Sequence, residues 1–368
     1  MTASETRVRE QILHAAAQLA GEGLIERTWG NISARVSDTQ FLITPSGLAY
    51  EALHPEQLVL VNIADVSWEG TVKPSSEKGI HAGAYRLRPE VNFVIHTHQY
   101  YASVAGIEGR ALTGFIHPLL GKRVPCASYG LPGTARLRRA VEAEMEAWPD
   151  CWAFLLRSHG ALCLGRDMED AFAAARALEE ICETLVRDQL EDGKPLPVPP
   201  DLGTSFRRGD AFCLTRKGRS RFYPMTGVSL PRAAALHAAV YRAGNFQYIA
   251  HDTSYETLAV SASDRRLRPY LDDLAQIAGA DILSIPAEPG RIERAIRGRN
   301  AVLLRGMGAL CAGTCESDVD AVRALIAKGC AARLYARAVP GCRPLNPADA
   351  ALQRLIYQKS YRGKKDLC

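Results

Sequence analysis

Apolar positions along this chain gather into short β-rich runs and, downstream, into a stretch of helical period. Val91-Asn92-Phe93-Val94-Ile95 and Trp152-Ala153-Phe154-Leu155-Leu156 are rich in β-branched and aromatic side chains, which predicts two buried strands. Downstream the period changes. Ala171, Ala174, Ala175, Leu178, Ile181, Cys182 and Leu185 recur at helical spacing, with Asp167 and Asp170 at the cap and third positions of the helix they predict. That helix runs out into Glu191-Asp192-Gly193-Lys194-Pro195-Leu196-Pro197-Val198-Pro199-Pro200, where proline excludes regular structure and marks a linker between two domains.

The candidate chemistry sits at the ends of the two predicted strands. His96-Thr97-His98 closes the first, and residues two apart on a strand point to one face. Both imidazoles then reach one ion at about 2.0–2.1 Å from nitrogen, the distance zinc requires. Ser158-His159-Gly160, just past the second strand, supplies a third ligand, and three neutral nitrogens with one open position form the catalytic pattern for zinc. Glu77, following Pro74-Ser75-Ser76, adds a carboxylate. Gly30-Asn31, Ser46-Gly47 and Ser75-Ser76 offer hydroxyls, an amide and backbone N–H groups that suit an anion where no P-loop exists; as bare pairs they also read as turns. Phosphate and carboxylate both satisfy such donors.

Taken in order, Thr28-Trp29-Gly30-Asn31-Ile32-Ser33, Ile43-Thr44-Pro45-Ser46-Gly47, Pro74-Ser75-Ser76-Glu77, His81, Arg88-Pro89, His96-Thr97-His98, Val124-Pro125, Pro132-Gly133-Thr134 and His159-Gly160 resemble the class II aldolase/adducin family. The resemblance covers residues 1 to 195. It implies an α/β/α fold with a largely antiparallel central sheet, His96, His98 and His159 as ligands of zinc or a similar divalent ion, and Glu77 as the acid/base. It further implies that Gly30, Asn31, Ser46, Gly47, Ser75 and Ser76 hold a sugar phosphate. In the aldolases of this family a tyrosine from the adjacent subunit donates a proton on the opposite face. Here Gly114-Phe115-Ile116-His117-Pro118 carries a histidine near that place, so His117 or Tyr129 is the expected substitute.

Beyond the linker the chain repeats itself in order. His81-Ala82-Gly83-Ala84-Tyr85 returns as His237-Ala238-Ala239-Val240-Tyr241, Ile95-His96-Thr97-His98 as Ala250-His251-Asp252-Thr253, and Gly160-Ala161-Leu162-Cys163-Leu164-Gly165 as Gly308-Ala309-Leu310-Cys311-Ala312-Gly313. This alignment sets Thr253 opposite His98, Met307 opposite His159 and Ala233 opposite Glu77, so the second copy has lost the metal ligands. Carried upstream at the same spacing, it leaves Gly30-Asn31 with no counterpart, and the second copy is expected to be truncated. His81 persists as His237 where the centre is gone, which marks His81 as structural rather than a ligand. The expected organisation is a catalytic domain over residues 1–195, a linker over 196–204, a degenerate copy over 205–342 and a tail over 343–368. Single-domain members of the resembled family form fourfold rings, which implies a homodimer of this chain closing a pseudo-fourfold ring. The tail, with Tyr357, Tyr361 and Lys364-Lys365, is expected either to cover a site or to end as a solvated strand of chain.

At 368 residues and 47% hydrophobic, the chain is long enough for one or two cores. Ten cysteines without regular spacing point to unpaired thiols in a reducing cytoplasm. No apolar run approaches the ~18 residues that cross a bilayer, and Met1-Thr2-Ala3-Ser4-Glu5 is too polar for a targeting segment. The +5 formal charge is scattered apart from clusters such as Arg207-Arg208 and Arg216-Lys217-Gly218-Arg219-Ser220-Arg221, which read as a solvated face rather than a nucleic-acid footprint. Neither nucleic acid nor membrane is expected as a partner; the resemblance implies a small molecule, a sugar phosphate or hydroxy-acid. The favoured activity is a lyase that splits or forms a C–C bond in a hydroxy-ketone or ketose phosphate through a metal-stabilised enediolate. A dehydratase or decarboxylase on the same scaffold is the alternative, and a non-catalytic, adducin-like interaction module is the third reading.

Overall fold

In the computed structural model the described residues are 3–25, 29–48, 50–190, 196–227 and 229–360. Thr28, the linker residues Glu191 to Pro195, and Tyr361, Lys364 and Lys365 of the tail lie outside them. The chain divides into two units, Met1–Gln189 and Leu190–Cys368.

The first unit is built on β1 (Gly30–Arg35), β2 (Gln40–Ile43), β3 (Val59–Asn62), β4 (Phe93–Thr97), β5 (Cys126–Ala127), β6 (Ala153–Leu156) and β7 (Gly160–Gly165). They form one sheet in the order β3-β2-β1-β4-β7-β6-β5, antiparallel throughout except for the parallel pair β5 and β6. α2 (Lys78–Leu87) and α4 (Ala135–Ala147) cover one face, where Ile80, Tyr85, Leu137 and Val141 pack on Phe41, Val94, Phe154 and Leu162. α1 (Ala3–Gly21), α3 (Tyr100–Gly106) and α5 (Met168–Gln189) pack on the strands as well. β4 is central, so all five of its residues are buried. Its Phe93, Val94 and Ile95 each contribute about 1.5–3 kcal/mol of apolar burial. The expected strands and helix are present, displaced by a residue or two at their ends. Asp167 accepts the backbone N–H of Asp170 at 2.8 Å, which caps α5.

The second unit repeats this plan. Its strands are β8 (Thr204–Arg208), β9 (Ala211–Arg216), β10 (Arg219–Pro224), β11 (Tyr248–Asp252), β12 (Arg266–Leu267), β13 (Ile282–Ile285), β14 (Ala301–Leu304) and β15 (Gly308–Gly313). The order β10-β9-β8-β11-β15-β14-β13-β12 matches the first sheet strand for strand, with β12 added at one edge. α6 (Arg232–Ala243) and α9 (Pro289–Ala295) occupy the places of α2 and α4, while α7 (Tyr255–Ser263) and α10 (Glu316–Ala338) take those of α3 and α5. No helix of the second unit stands in the place of α1 among the described residues.

Register corrects one expectation about the truncation. Ser33 lies opposite Val94, and Ser205 opposite Ile249, so β8 is the counterpart of β1, and Leu202-Gly203 stands where Gly30-Asn31 does. The missing loop is another one. β2 and β3 are joined by the long connection that carries Ser46 and Gly47, whereas β9 and β10 meet in a tight hairpin at Lys217-Gly218, both with positive φ. The spacing between copies therefore changes upstream of α6, and a fixed offset misses β8.

Two further expectations meet the structure at the C-terminal side. Cys126, Cys163, Cys182, Cys213, Cys311 and Cys330 are free and buried, but Cys315 is disulfide-bonded, unlike the unpaired thiols expected. The described part of the tail is α11 (Pro347–Ser360), which packs on α8 (Asp272–Ala278), with Arg354 Nη1 donating to the Gln276 carbonyl at 2.8 Å. Among the described residues no helix is long and apolar enough to cross a membrane.

One glycine in each copy fixes how closely the strand after the hairpin, β7 or β15, approaches its neighbour. A Cβ on Gly160 would lie 2.1 Å from the Thr97 carbonyl oxygen, and one on Gly308 would lie 2.1 Å from that of Asp252. Gly160→Ala and Gly308→Ala are each expected to destabilise their unit by about 1–3 kcal/mol or more, measured by thermal melting. Only Gly160→Ala is expected also to lower metal uptake, because it pushes β7 and the preceding His159 away from β4.

Candidate metal centre

β4 delivers His96 from the middle of the sheet, and His98 follows just past the strand end on the same side. The His96 ring donates from Nδ1 to the Ala161 carbonyl at 2.8 Å, which fixes the tautomer and leaves the Nε2 lone pair for a ligand. His159 stands at the tip of the β6–β7 hairpin. The preceding Ser158 is held at φ 60°, a left-handed conformation that strains any residue with a Cβ. Gly306 occupies the matching place in the second unit at φ 66°.

These turns bring the three rings together. Nε2 of His96 lies 3.2 Å from Nε2 of His98 and 2.9 Å from Nε2 of His159, and all three residues are buried. One ligand atom from each lies within 4.8 Å of the others, a donor set that suits a metal ion. The His96 tautomer is set by a backbone carbonyl, and the three rings present nitrogens close enough to hold one divalent cation between them.

Glu77 precedes α2 and is buried. Its backbone N–H donates to Ser75 Oγ at 3.2 Å. Its carboxylate sits 2.9 Å through Oε1 from His159 Nε2 and 3.2 Å through Oε2 from His96 Nε2, while Asn31 Nδ2 donates to Oε2 at 3.0 Å. Burial acts to raise the Glu77 pKa. The facing imidazoles, His96 ahead of His159, outweigh it and hold the carboxyl well below its ordinary range. A bound cation would act on Glu77 in the same direction.

The candidate anion-binding residues divide into three groups. Asn31 and Ser75 touch Glu77 directly. Ser46 and Gly47 are brought beside the Pro74-Ser75 segment by a bridge between Pro45 and Pro74, which engages the N–H of Ser46 with the Lys73 carbonyl and the N–H of Ser75 with the Thr44 carbonyl. Those two N–H groups are thus structural, contrary to their expected role as anion donors. Ser76 is exposed, and Gly30, at φ 121°, lets the His96 carbonyl approach to within 2.7 Å of where a Cβ would be. His117, the expected substitute proton donor, accepts the N–H groups of Leu119 and Leu120 through Nδ1.

Sequence reasoning missed Ser33, Tyr85 and Tyr50. Ser33 Oγ bonds both His81 Nδ1 at 2.6 Å and the Tyr85 hydroxyl at 2.7 Å, and His81 Nε2 bonds Asn31 Oδ1 at 2.5 Å. His81 is thus no ligand, as its persistence in the second copy indicated, yet it lies one residue away from Glu77 through Asn31. Burial pushes the Tyr50 phenol above its ordinary pKa, with the Glu77 charge adding to it against the Thr44 hydroxyl. The signal for Ser33 and Tyr85 was available: Ser205 and Tyr241 accompany His237 at matching register.

In the second unit His251 turns both nitrogens to the backbone. Nε2 donates to the Met307 carbonyl at 2.7 Å, and Nδ1 accepts the Leu202 N–H at 3.2 Å. Both ring nitrogens are therefore engaged, and Thr253, Met307 and Ala233 stand in the places of His98, His159 and Glu77.

The family model described as "Class II Aldolase and Adducin N-terminal domain" matches residues 10–186 and again 218–335. The chain is 34% identical over 204 residues to the 5-methylthioribulose-1-phosphate/5-deoxyribulose-1-phosphate aldolase of Rhodospirillum rubrum, covering 55% of this chain and 90% of that one. It is 31% identical over 199 residues to the L-fuculose phosphate aldolase of Escherichia coli K12, covering 53% and 89%. It is likewise 31% identical over 199 residues to the methylthioribulose-1-phosphate dehydratase of Pseudomonas savastanoi pv. phaseolicola, covering 50% and 97%. A solved L-fuculose 1-phosphate aldolase superposes with a TM-score of 0.47 at 26% identity, covering 54% and 92%.

Burial holds His81 and His237 neutral, each with its pKa lowered from 6.5 to about 3. Because the folded values lie below the unfolded ones, the unfolded chain takes up more protons between them, and stability is lost as pH falls from 6.5 toward 3. The melting temperature of the metal-free protein is expected to drop over that window, and His81→Gln and His237→Gln should each flatten the drop.

Proposed function

We propose that this chain, which belongs to the class II aldolase and adducin family, is an aldolase-like lyase that cleaves or forms a C–C bond in a hydroxy-ketone or ketose phosphate. Its first unit is the catalytic domain, with zinc held by His96, His98 and His159 and Glu77 as acid/base. The observation that carries this reading is the approach of three Nε2 atoms to one another with the Glu77 carboxylate within 3.2 Å of two of them. The relatives' own substrates, 5-deoxyribulose 1-phosphate and L-fuculose phosphate by name, support a ketose 1-phosphate.

The centre's residues divide the work. A divalent ion bound there supplies the positive charge that stabilises the anion left when the bond next to a ketone breaks, an effect worth several kcal/mol. His96, held by Ala161, keeps its lone pair aimed at the centre. Glu77 takes or returns the substrate proton through Oε1, while Asn31 occupies Oε2 and so fixes which oxygen is available. The buried surroundings exclude water from the same proton. Gly30, Asn31, Ser46, Gly47, Ser75 and Ser76 line the approach for the phosphate, its donors being hydroxyls and the Asn31 amide rather than the engaged N–H groups of Ser46 and Ser75.

The second unit is a non-catalytic copy on this reading, and the chain works in the cytoplasm as a homodimer in a pseudo-fourfold ring. A stable monomer in light scattering would remove the ring. A dehydratase or decarboxylase using the same ion and Glu77 is favoured instead by one departure: Gly114 to Pro118 contains His117 where an aldolase is expected to place a tyrosine.

Metal analysis of wild type and His98→Ala, followed by a screen of ketose 1-phosphates for aldehyde release, tests the proposal. Wild type is expected to carry zinc and release an aldehyde, and His98→Ala to lose the ion. Glu77→Gln should keep the ion and lose turnover by about 10²–10⁴-fold; an unchanged rate would remove Glu77 from the chemistry. Metal-loaded protein that cleaves no ketose phosphate would move the assignment to dehydration or decarboxylation.

A further inference from the structure

We propose that His81 is a positioning residue for Glu77: oriented by Ser33 and Tyr85, it locks the Asn31 amide so that its NH2 end donates to Glu77 Oε2 and leaves Oε1, which faces His159, without that donor. The inference deepens the proposed function, since it rests on Glu77 being the acid/base.

Hydrogen-bond direction carries the argument. Asn31 Nδ2 lies 3.0 Å from Glu77 Oε2, and a carboxylate oxygen only accepts, so the amide nitrogen must face it. Oδ1 of Asn31 then faces His81 Nε2 at 2.5 Å, and that nitrogen must carry the ring proton. A neutral imidazole protonated at Nε2 presents a lone pair at Nδ1, which accepts the Ser33 hydroxyl at 2.6 Å. With its proton committed, Ser33 Oγ accepts the Tyr85 hydroxyl at 2.7 Å. Every donor runs one way, from Tyr85 through Ser33, His81 and Asn31 to Glu77, and all five residues are buried. Tyr85 is itself immobilised, with its ring centroid 5.1 Å from that of Phe41 and the Arg35 guanidinium 4.9 Å over its face.

The second unit separates the fold's need from the centre's. Ser205 Oγ bonds His237 Nδ1 at 2.7 Å and the Tyr241 hydroxyl at 2.8 Å, so the tyrosine–serine–histidine portion is retained. Gly203 stands where Asn31 does and Ala233 where Glu77 does, so His237 meets the Leu202 backbone there rather than a side-chain amide leading to a carboxylate. The first half of the chain therefore braces both sheets against their helices. Its extension to a carboxylate exists only in the copy that has the three imidazoles. Each substitution can accordingly be made twice in one protein, once with a reacting group at the far end and once without.

The test uses the full-length, zinc-loaded chain with matched pairs: Ser33→Ala and Ser205→Ala, His81→Leu and His237→Leu, and His81→Gln. Long-range ¹H–¹⁵N correlation on the wild type is expected to find the His81 proton on Nε2, and Ser33→Ala to shift that tautomer equilibrium. Assayed with the ketose 1-phosphate that the screen identifies, Ser33→Ala and His81→Leu are expected to lower kcat by about 10- to 100-fold with metal content unchanged. The acid limb of the kcat profile should move to higher pH, because Oε2 loses a donor to its charged form. His81→Gln, which can still donate to Asn31, should recover most of the rate. Ser205→Ala and His237→Leu should lower the melting temperature alone. A wild-type His81 protonated on Nδ1 overturns the proposal, as does Ser33→Ala with an unaltered kcat and pH profile and only the loss of stability shown by its twin. If Ser33→Ala lowers kcat but Glu77→Gln does not, the role of Glu77 fails instead.

Discussion

The candidate metal centre depends on the close approach of β4 and β7 with the β6–β7 hairpin folded back over them. Only that approach, permitted by the absence of a side chain at Gly160, lets a ring from position 159 stack on His96 at a centroid distance of 4.7 Å. The left-handed Ser158 is the local strain that accompanies it. The fold supplies the geometry in which three imidazole nitrogens would hold one divalent cation.

The two units show how separable architecture and chemistry are. Both retain the strand order, the glycine at the β7 or β15 start, and a serine that joins a buried histidine to a buried tyrosine. Among the described residues the second unit lacks a counterpart of α1; Thr253, Met307, Ala233 and Gly203 stand in the places of His98, His159, Glu77 and Asn31, and a tight hairpin at Lys217-Gly218 replaces the connection bearing Ser46 and Gly47. His251 survives, but it is half-buried and held by two backbone groups. The second unit has kept the serine–histidine–tyrosine contacts between sheet and helix and lacks, among the described residues, the three-imidazole cluster of the first.

How much of this was legible in the sequence depends on the range of the interaction. The strands around His96 and before His159, and the cap of α5, follow from local composition and period, and the register of the His-x-His pair follows from the alternation of a strand. The duplication was legible because its blocks stay collinear. A constant spacing nevertheless hid β8, since insertions fall in loops that pattern alone does not measure. Ser33 and Tyr85 were not found because their importance lies in hydrogen bonds across the sheet–helix interface, between residues far apart in sequence. The engaged N–H groups of Ser46 and Ser75 illustrate the same limit: a Ser-Gly or Ser-Ser pair shows its donors but not whether the neighbouring loop already uses them.

X-ray absorption of the zinc-loaded chain tests the central claim most directly, because it reads the ligands of the ion itself. Three imidazole nitrogens at about 2.0–2.1 Å, with any remaining scatterer an oxygen, are the predicted first coordination shell. A sulfur contribution at about 2.3 Å, or fewer than three imidazoles, would contradict it.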